Sequence, residues 1–252
     1  MELDGKVVIV TGAARGIGQE AARVFAEAGG RIVAADVNDC AQTVAQIKDA
    51  GGQCIAAHLD VTDFKTAEAM GEATLAEYGR IDGLLNNAAL YGGLRGGRFE
   101  KIAEEQWDAA MAVNVKGIWN CCRAVVGAMR EAGGGSIVNI SSLAATFGTP
   151  FALHYTTSKA AVIGLTRGLA RELGRERIRV NAIAPSAVLT EGTQEFFGDK
   201  ADRALQVVEA GQSLPGNLEP SDLTGTMLWL LSDASRFTTG QTIAVDGGTV
   251  MS

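Results

Sequence analysis

Three observations predict an α/β fold built on a buried parallel sheet. Short aliphatic runs such as Lys6-Val7-Val8-Ile9-Val10 and Ile178-Arg179-Val180-Asn181-Ala182-Ile183-Ala184 are rich in β-branched residues and apolar on both faces, as strands between two helical layers must be. These runs alternate with stretches of helical periodicity along the whole chain. Glycine is abundant at 32 residues and proline scarce at 4, which suits many tight strand-to-helix turns. A length of 252 residues fits one such domain with a sizeable core.

The first run leads straight into Thr11-Gly12-Ala13-Ala14-Arg15-Gly16-Ile17-Gly18 and a helix over 19–28, ended by Gly29-Gly30. A second strand over 31–35 closes on Asp36. This is a βαβ unit with a glycine-rich first turn and an acid at the tip of its second strand. Glycines let the backbone approach a pyrophosphate, and the helix N-terminus offers free N–H groups. The Asp36 carboxylate can accept hydrogen bonds from ribose hydroxyls and would repel a 2′-phosphate, so the unit points to NAD. Arg15 points the other way, because it could reach a 2′-phosphate. Asp36 weighs more, since its neighbour Val37 is not basic.

The alternation continues. A helix over 39–50 ends at Gly51-Gly52, and a strand over 53–59 ends at Asp60-Val61. Thr62 or Asp63 caps a helix to 78. A short strand over 81–85 leads to Asn86-Asn87-Ala88-Ala89, then a glycine-rich loop over 91–99. One long helix is expected over 104–130, with Trp107, Met111, Val115, Ile118, Cys122, Val125 and Met129 forming a stripe that Trp119 and Val126 widen. Such width suits a broad core face or a subunit contact. Asn114 sits mid-helix, where an amide costs propensity, so it wants another reason. A strand over 136–141 ends at Ser142, a helix spans 155–173, and a strand over 178–184 ends at Pro185. Over 186–215 the pattern weakens, with Phe196, Phe197, Leu205 and Val207 among polar residues, as in a lid. A last helix opens at Ser221 or Asp222 and a last strand covers 241–245.

Tyr155 and Lys159 are four residues apart at the start of a helix, so both can face one cleft. A nearby positive charge favours the phenolate, and a phenol tuned that way can exchange a proton with an alcohol or ketone. Other chemistries have little footing. Cys40, Cys54, Cys121 and Cys122 form no C-x-x-C, and only His58 and His154 could join them, so no metal site is expected. The cysteines read as reduced and mostly buried, and the protein as cytoplasmic. No signal peptide or membrane span is expected. A net charge of −7 without any basic run argues against nucleic acid and anionic membranes. Neither a G-x-S-x-G elbow nor a phosphate-binding G-x-x-x-x-G-K loop occurs.

Taken together, Thr11-Gly12-x-x-x-Gly16-x-Gly18, Asp60, Asn86-Asn87-Ala88, Asn114, Ser142, Tyr155-x-x-x-Lys159 and the Pro185 strand end resemble the short-chain dehydrogenase/reductase family in order and spacing along essentially the whole chain. The resemblance implies one Rossmann-like domain over 1–252: a doubly wound parallel sheet of about seven strands with helices on both faces. It implies Tyr155 as acid/base, with Lys159 lowering its pKa and holding the nicotinamide ribose. Ser142 would orient the substrate oxygen, and Asn114 would anchor a water in a relay through Lys159. Gly12, Arg15, Gly16, Ile17, Gly18, Asp36 and Val37 would meet the adenosine and pyrophosphate half of the cofactor. Asp60 and Val61 would flank the adenine, and Asn87, Ala88 and Ala89 would pass beneath the cofactor. Pro185, Val188 and Thr190 would meet the nicotinamide end. The substrate would lie against Tyr91, Phe147, His154, Ser186 and Phe196, with Leu90, Leu143, Ala144 and Phe197 as further candidates. Two departures from the family pattern, Ala89 for glycine after Asn-Asn-Ala and Ser186 for glycine after Pro185, bear on backbone detail near the nicotinamide.

The expected activity is NAD-dependent hydride transfer between a nicotinamide and a small secondary alcohol or ketone, aryl or cyclic, in a homotetramer. The alternatives are an NADPH-dependent reductase of the 3-oxoacyl-carrier type, to which Arg95 and Arg98 would offer a basic docking surface, and a non-catalytic NAD-sensing module.

Overall fold

The computed structural model describes residues 2–251. Among them, strands β1 (Val7–Thr11), β2 (Arg31–Asp36), β3 (Gln53–His58), β4 (Gly83–Asn86), β5 (Gly135–Ile140), β6 (Ile178–Pro185) and β7 (Thr242–Val245) form one sheet. Their order is β3-β2-β1-β4-β5-β6-β7, and every pairing is parallel. Helices α1 (Gly16–Glu27), α2 (Ala41–Asp49), α3 (Phe64–Tyr78), α4 (Glu104–Met111), α5 (Gly117–Glu131), α6 (Ala144–Phe147), α7 (Leu153–Leu173), α8 (Glu191–Phe197), α9 (Ala201–Ala210) and α10 (Pro220–Leu231) complete the chain.

Alternate strand residues serve opposite faces of the sheet. Val8, Val10, Ile32, Val138 and Ile183 pack with Phe25 of α1 and with Leu223, Met227 and Leu230 of α10. Ile9, Val33, Leu84, Ile137 and Val180 pack with Met70 of α3, Val125 and Met129 of α5, and Val162 of α7. Each such buried aliphatic side chain contributes about 1.5–3 kcal/mol, against roughly 0–1 for an exposed ion pair. The two apolar layers therefore hold the fold.

The chain steps outward from β1 to β2 and β3, then returns to place β4 on the other side of β1. That reversal opens a crevice beyond the C-terminal ends of β1 and β4. Asn87 closes its floor, its side-chain amide donating to the carbonyls of Thr11 and Gly12 at 3.0 Å each. Thr11 Oγ1 accepts in return from the N–H groups of Asn87 and Ala88. Gly12 adopts a φ of +67°, and a Cβ there would stand 2.8 Å from the Ala88 Cα. A Cβ on Gly18 would stand 2.1 Å from the Gly12 carbonyl oxygen, so α1 packs against the turn only as glycine.

Three expectations need correction. The helix expected over 104–130 is interrupted at Ala112–Lys116 by a π turn, in which the Gly117 N–H reaches the carbonyl of Ala112. The apolar stripe runs through the interruption, which is why periodicity alone misses it. The weakly patterned stretch 186–215 contains α8 and α9. Thr190 caps α8 by accepting from the Thr193 N–H, and Ala201 and Leu205 bury one face of α9. Residues 144–147 form the short helix α6, where no element was expected. Elsewhere the boundaries shift by a few residues, and Asp63 rather than Thr62 caps α3. No helix among the described residues is long and apolar enough to cross a membrane.

Candidate active site

The crevice holds a cleft of about 920 Å³. Its adenosine end is built by the glycine-rich turn and the tip of β2. Gly12, Arg15, Gly16, Ile17, Asp36, Val37, Asp60 and Val61 line it. Asp36 is fixed in place, with Oδ2 accepting from the Ala14 N–H at 3.1 Å and Oδ1 from the Asn38 N–H at 2.9 Å. Asp60 is held by the N–H and hydroxyl of Thr62. The first turn of α1 carries no acidic residue, and Arg15 gives it no side-chain cap. Its N–H groups are thus available to an anion.

The inner end gathers Asn87, Ala88, Ala89, Ser142, Tyr155, Lys159, Pro185, Ser186, Val188 and Thr190. Ser142 follows β5 and is buried, and its Oγ accepts from the Ala144 N–H at 3.1 Å as α6 begins. Tyr155 and Lys159 stand one above the other on α7. Lys159 is 3% exposed, and its Nζ donates to the carbonyl of Ile140 at 2.8 Å. Burial lowers its pKa to about 8. The neighbouring Ser142 hydroxyl lowers the pKa of the Tyr155 phenol, but burial acts more strongly and pushes it up to about 12. The ammonium lies 5.8 Å from the ring centroid, and desolvation outweighs it.

Aromatic side chains wall the outer end. Tyr91 stacks on Phe196 of α8 at 4.6 Å and 19°, and leans on Tyr155 at 4.9 Å and 37°. Burial raises the pKa of its phenol. Phe147 and Phe197 also line the cleft, as do Leu143 and Ala144.

Four expected site residues lie outside the lining. Gly18 packs behind the turn against Gly12. Leu90 is bound through its backbone instead, because Asn114 Oδ1 accepts from its N–H at 2.7 Å and Asn114 Nδ2 donates to its carbonyl at 3.1 Å. Asn114 also donates to Ser158 Oγ at 3.0 Å. Its side chain thus positions Leu90 and α7. His154 faces the interior, since adjacent helix positions are about 100° apart and Tyr155 takes the cleft side. It is fully buried, with Nδ1 accepting from the Tyr155 N–H and Nε2 without a partner among the described residues, and burial lowers its pKa.

Lys200, just before α9, and Arg203, Ala204 and Val208 of α9 also line the cleft and were not expected there. Small and aliphatic residues at spacings of three and four from Ala201 to Val208 carry that signal. Glu191 and Glu195, which bind Arg15, were not expected at the site either. Among the described residues no group of three or more His, Cys, Asp or Glu could hold a metal ion.

The residues present fit a dinucleotide. The turn would be filled by any Cβ at Gly12, Asp36 is oriented at the β2 tip, α1 begins without a side-chain cap, and, among the described residues, Ser186 Oγ is buried at the inner end without a partner.

Comparison with known proteins agrees. Residues 12–250 match the family model described as enoyl-(acyl carrier protein) reductase. A 3-oxoacyl-(acyl-carrier-protein) reductase of Thermotoga maritima is 37% identical over the full length of both chains. A D-threitol dehydrogenase of Mycolicibacterium smegmatis is 37% identical over 98% of this chain and 93% of its own. The crystal structure of a carveol dehydrogenase from Mycobacterium avium in complex with NAD superposes with a TM-score of 0.93 at 31% identity, covering 98% of each chain. The chain belongs to the short-chain dehydrogenase/reductase family and is an oxidoreductase that uses a nicotinamide cofactor.

The buried ammonium predicts a pH effect on stability. In the unfolded chain Lys159 keeps its proton to its ordinary value of 10.5, but in the folded protein only to about 8. Between these values the unfolded state binds more protons, so this group's contribution to stability rises with pH from about 8 to 10.5 and is least favourable below 8. Lys159→Met should therefore raise stability at pH 7 by roughly 1–3 kcal/mol and flatten that rise. Denaturant melts at pH 7 and pH 10 check this. A variant less stable at pH 7 would contradict it.

Proposed function

We propose that the protein is an NAD-dependent dehydrogenase that interconverts a secondary alcohol and its ketone, with a small aryl or cyclic substrate, acting in the cytoplasm. The observation that carries the cofactor choice is Asp36, a carboxylate oriented by Ala14 and Asn38 at the adenosine end of the cleft. It suits free ribose hydroxyls and opposes a phosphate on the 2′-oxygen. The wall of Tyr91, Phe196 and Phe147 supports a ring-shaped apolar substrate.

When bound, the nicotinamide accepts or supplies the hydride. Ser142 orients the substrate oxygen from the same cleft that the Tyr155 phenol faces. At neutral pH the buried phenol is protonated, ready to donate toward a ketone; in the alcohol direction Tyr155 receives the hydroxyl proton. Lys159 places positive charge beneath the site, which favours the phenolate in that direction.

A second reading, an NADPH-dependent reductase of the 3-oxoacyl-carrier type, draws support from the likeness to the Thermotoga reductase. Arg98 is engaged by Glu100, which weakens the basic docking surface that this reading wants. A non-catalytic sensor is disfavoured by the presence of Ser142, Tyr155 and Lys159 together in one cleft.

Tyr155→Phe should lower turnover by about 10²–10⁴-fold while NADH binding, read by nucleotide fluorescence, persists. Unchanged turnover would sink the assignment, and faster turnover of the parent with NADP than with NAD would favour the reductase. We further propose a homotetramer, supported by exposed Trp119, Trp229 and Phe237. Sedimentation should give four times the chain mass of 26.2 kDa; a monomer would refute it.

A further inference from the structure

The sequence sets Asp36 and Arg15 in opposition, one suited to a free ribose and the other to a 2′-phosphate. The fold answers through α8, far away in the chain. The Arg15 guanidinium turns toward that helix. Its Nη1 donates to Glu195 Oε1 at 2.6 Å and to Glu191 Oε2 at 2.9 Å, and its Nη2 to Glu195 Oε2 at 3.0 Å. The two acids sit one helical turn apart, and Glu195 grips the guanidinium with both oxygens. Asp36 takes no part. Its bonds come from Ala14 and from the N–H and side-chain amide of Asn38. The same helix carries Phe196, stacked on Tyr91, so α8 is fastened to both halves of the cleft.

The strength of this contact fits a part that opens. Arg15, Glu191 and Glu195 have side chains 52%, 72% and 45% exposed. Ion pairs at such exposure are weak and screened by salt. Two carboxylates against one guanidinium also leave a net negative charge beside the glycine-rich turn.

We propose that Glu191 and Glu195 determine cofactor choice: with Arg15 they form an ionic latch that closes α8 over the glycine-rich turn and withholds its guanidinium from a 2′-phosphate. The inference rests on the dinucleotide reading of the cleft. Asp36 then disfavours the phosphate directly, and the latch removes the cation that would have welcomed it. Each opening of the latch admits or releases cofactor.

The test is the ratio of NADPH to NADH affinity, measured by nucleotide fluorescence at low salt without substrate. It compares the parent, Glu195→Gln, Glu191→Gln/Glu195→Gln, and that double variant with Arg15→Gln added. The ratio should shift toward NADPH by about fivefold in the double variant, less in the single one, and return to the parent's value once Arg15 is lost. The positions are exposed, and circular dichroism melts confirm that each variant is folded. An unchanged ratio in the double variant overturns the latch. A gain that survives the loss of Arg15 also overturns it, assigning the effect to general charge or to Lys200 and Arg203. A parent that binds neither dinucleotide overturns the underlying reading of the cleft, and the latch with it.

Discussion

One ammonium group buried beneath an apolar cleft constrains everything around it. Lys159 is removed from water, and its one hydrogen bond among the described residues goes to the carbonyl of Ile140. A charge so placed opposes folding and persists only where the surroundings hold it firmly. Here β5 ends where its last carbonyl meets the ammonium. Ser141 Oγ donates back to the Lys159 carbonyl at 2.8 Å, tying strand and helix together in both directions. With β5 and α7 locked in this way, Ser142 is delivered to the mouth of the strand. Tyr155 faces the same space from one helical turn earlier.

A second layer positions the first. The π turn at Ala112–Lys116 gives up helical regularity and places Asn114 where its amide binds both backbone groups of Leu90 and the hydroxyl of Ser158. Ser158 in turn donates to the carbonyl of Tyr155 at 2.8 Å. Leu90 precedes Tyr91, whose ring meets both Tyr155 and Phe196. Packing thus runs from a mid-helix amide through a loop to the catalytic candidate and on to the helix above it. Interior π turns recur at functional sites for this kind of reason: they re-aim one side chain inside an otherwise rigid element.

The sheet and the cofactor half of the site are legible in the sequence because their signals are local. Strands buried on both faces give uninterrupted aliphatic runs, and Gly12 and Gly18 of the first turn are dictated by contacts with Ala88 and Gly12 that any Cβ would violate. What escapes the sequence depends on distant partners. Whether His154 or Tyr155 faces the cleft is a matter of helix rotation, which the motif alone does not set. The apolar stripe of residues 104–130 passes unbroken through the π turn. Helices α8 and α9 are short, and adjacent Phe196 and Phe197 blur their period. The pairing of Arg15 with Glu191 and Glu195 spans more than 170 positions. The extent to which the surrounding site desolvates the Tyr155 phenol, raising its pKa, likewise depends on residues far from it in the chain.

The central claim is that this cleft moves a hydride between a secondary alcohol and a nicotinamide. The most direct measurement is deuterium transfer. The purified protein is incubated with NAD and a panel of aryl and cyclic secondary alcohols deuterated at the carbinol carbon, and the recovered nucleotide is examined by mass spectrometry and proton NMR. Deuterium on C4 of the nicotinamide is the predicted result. NAD that binds but acquires no label from any alcohol in the panel would contradict the account.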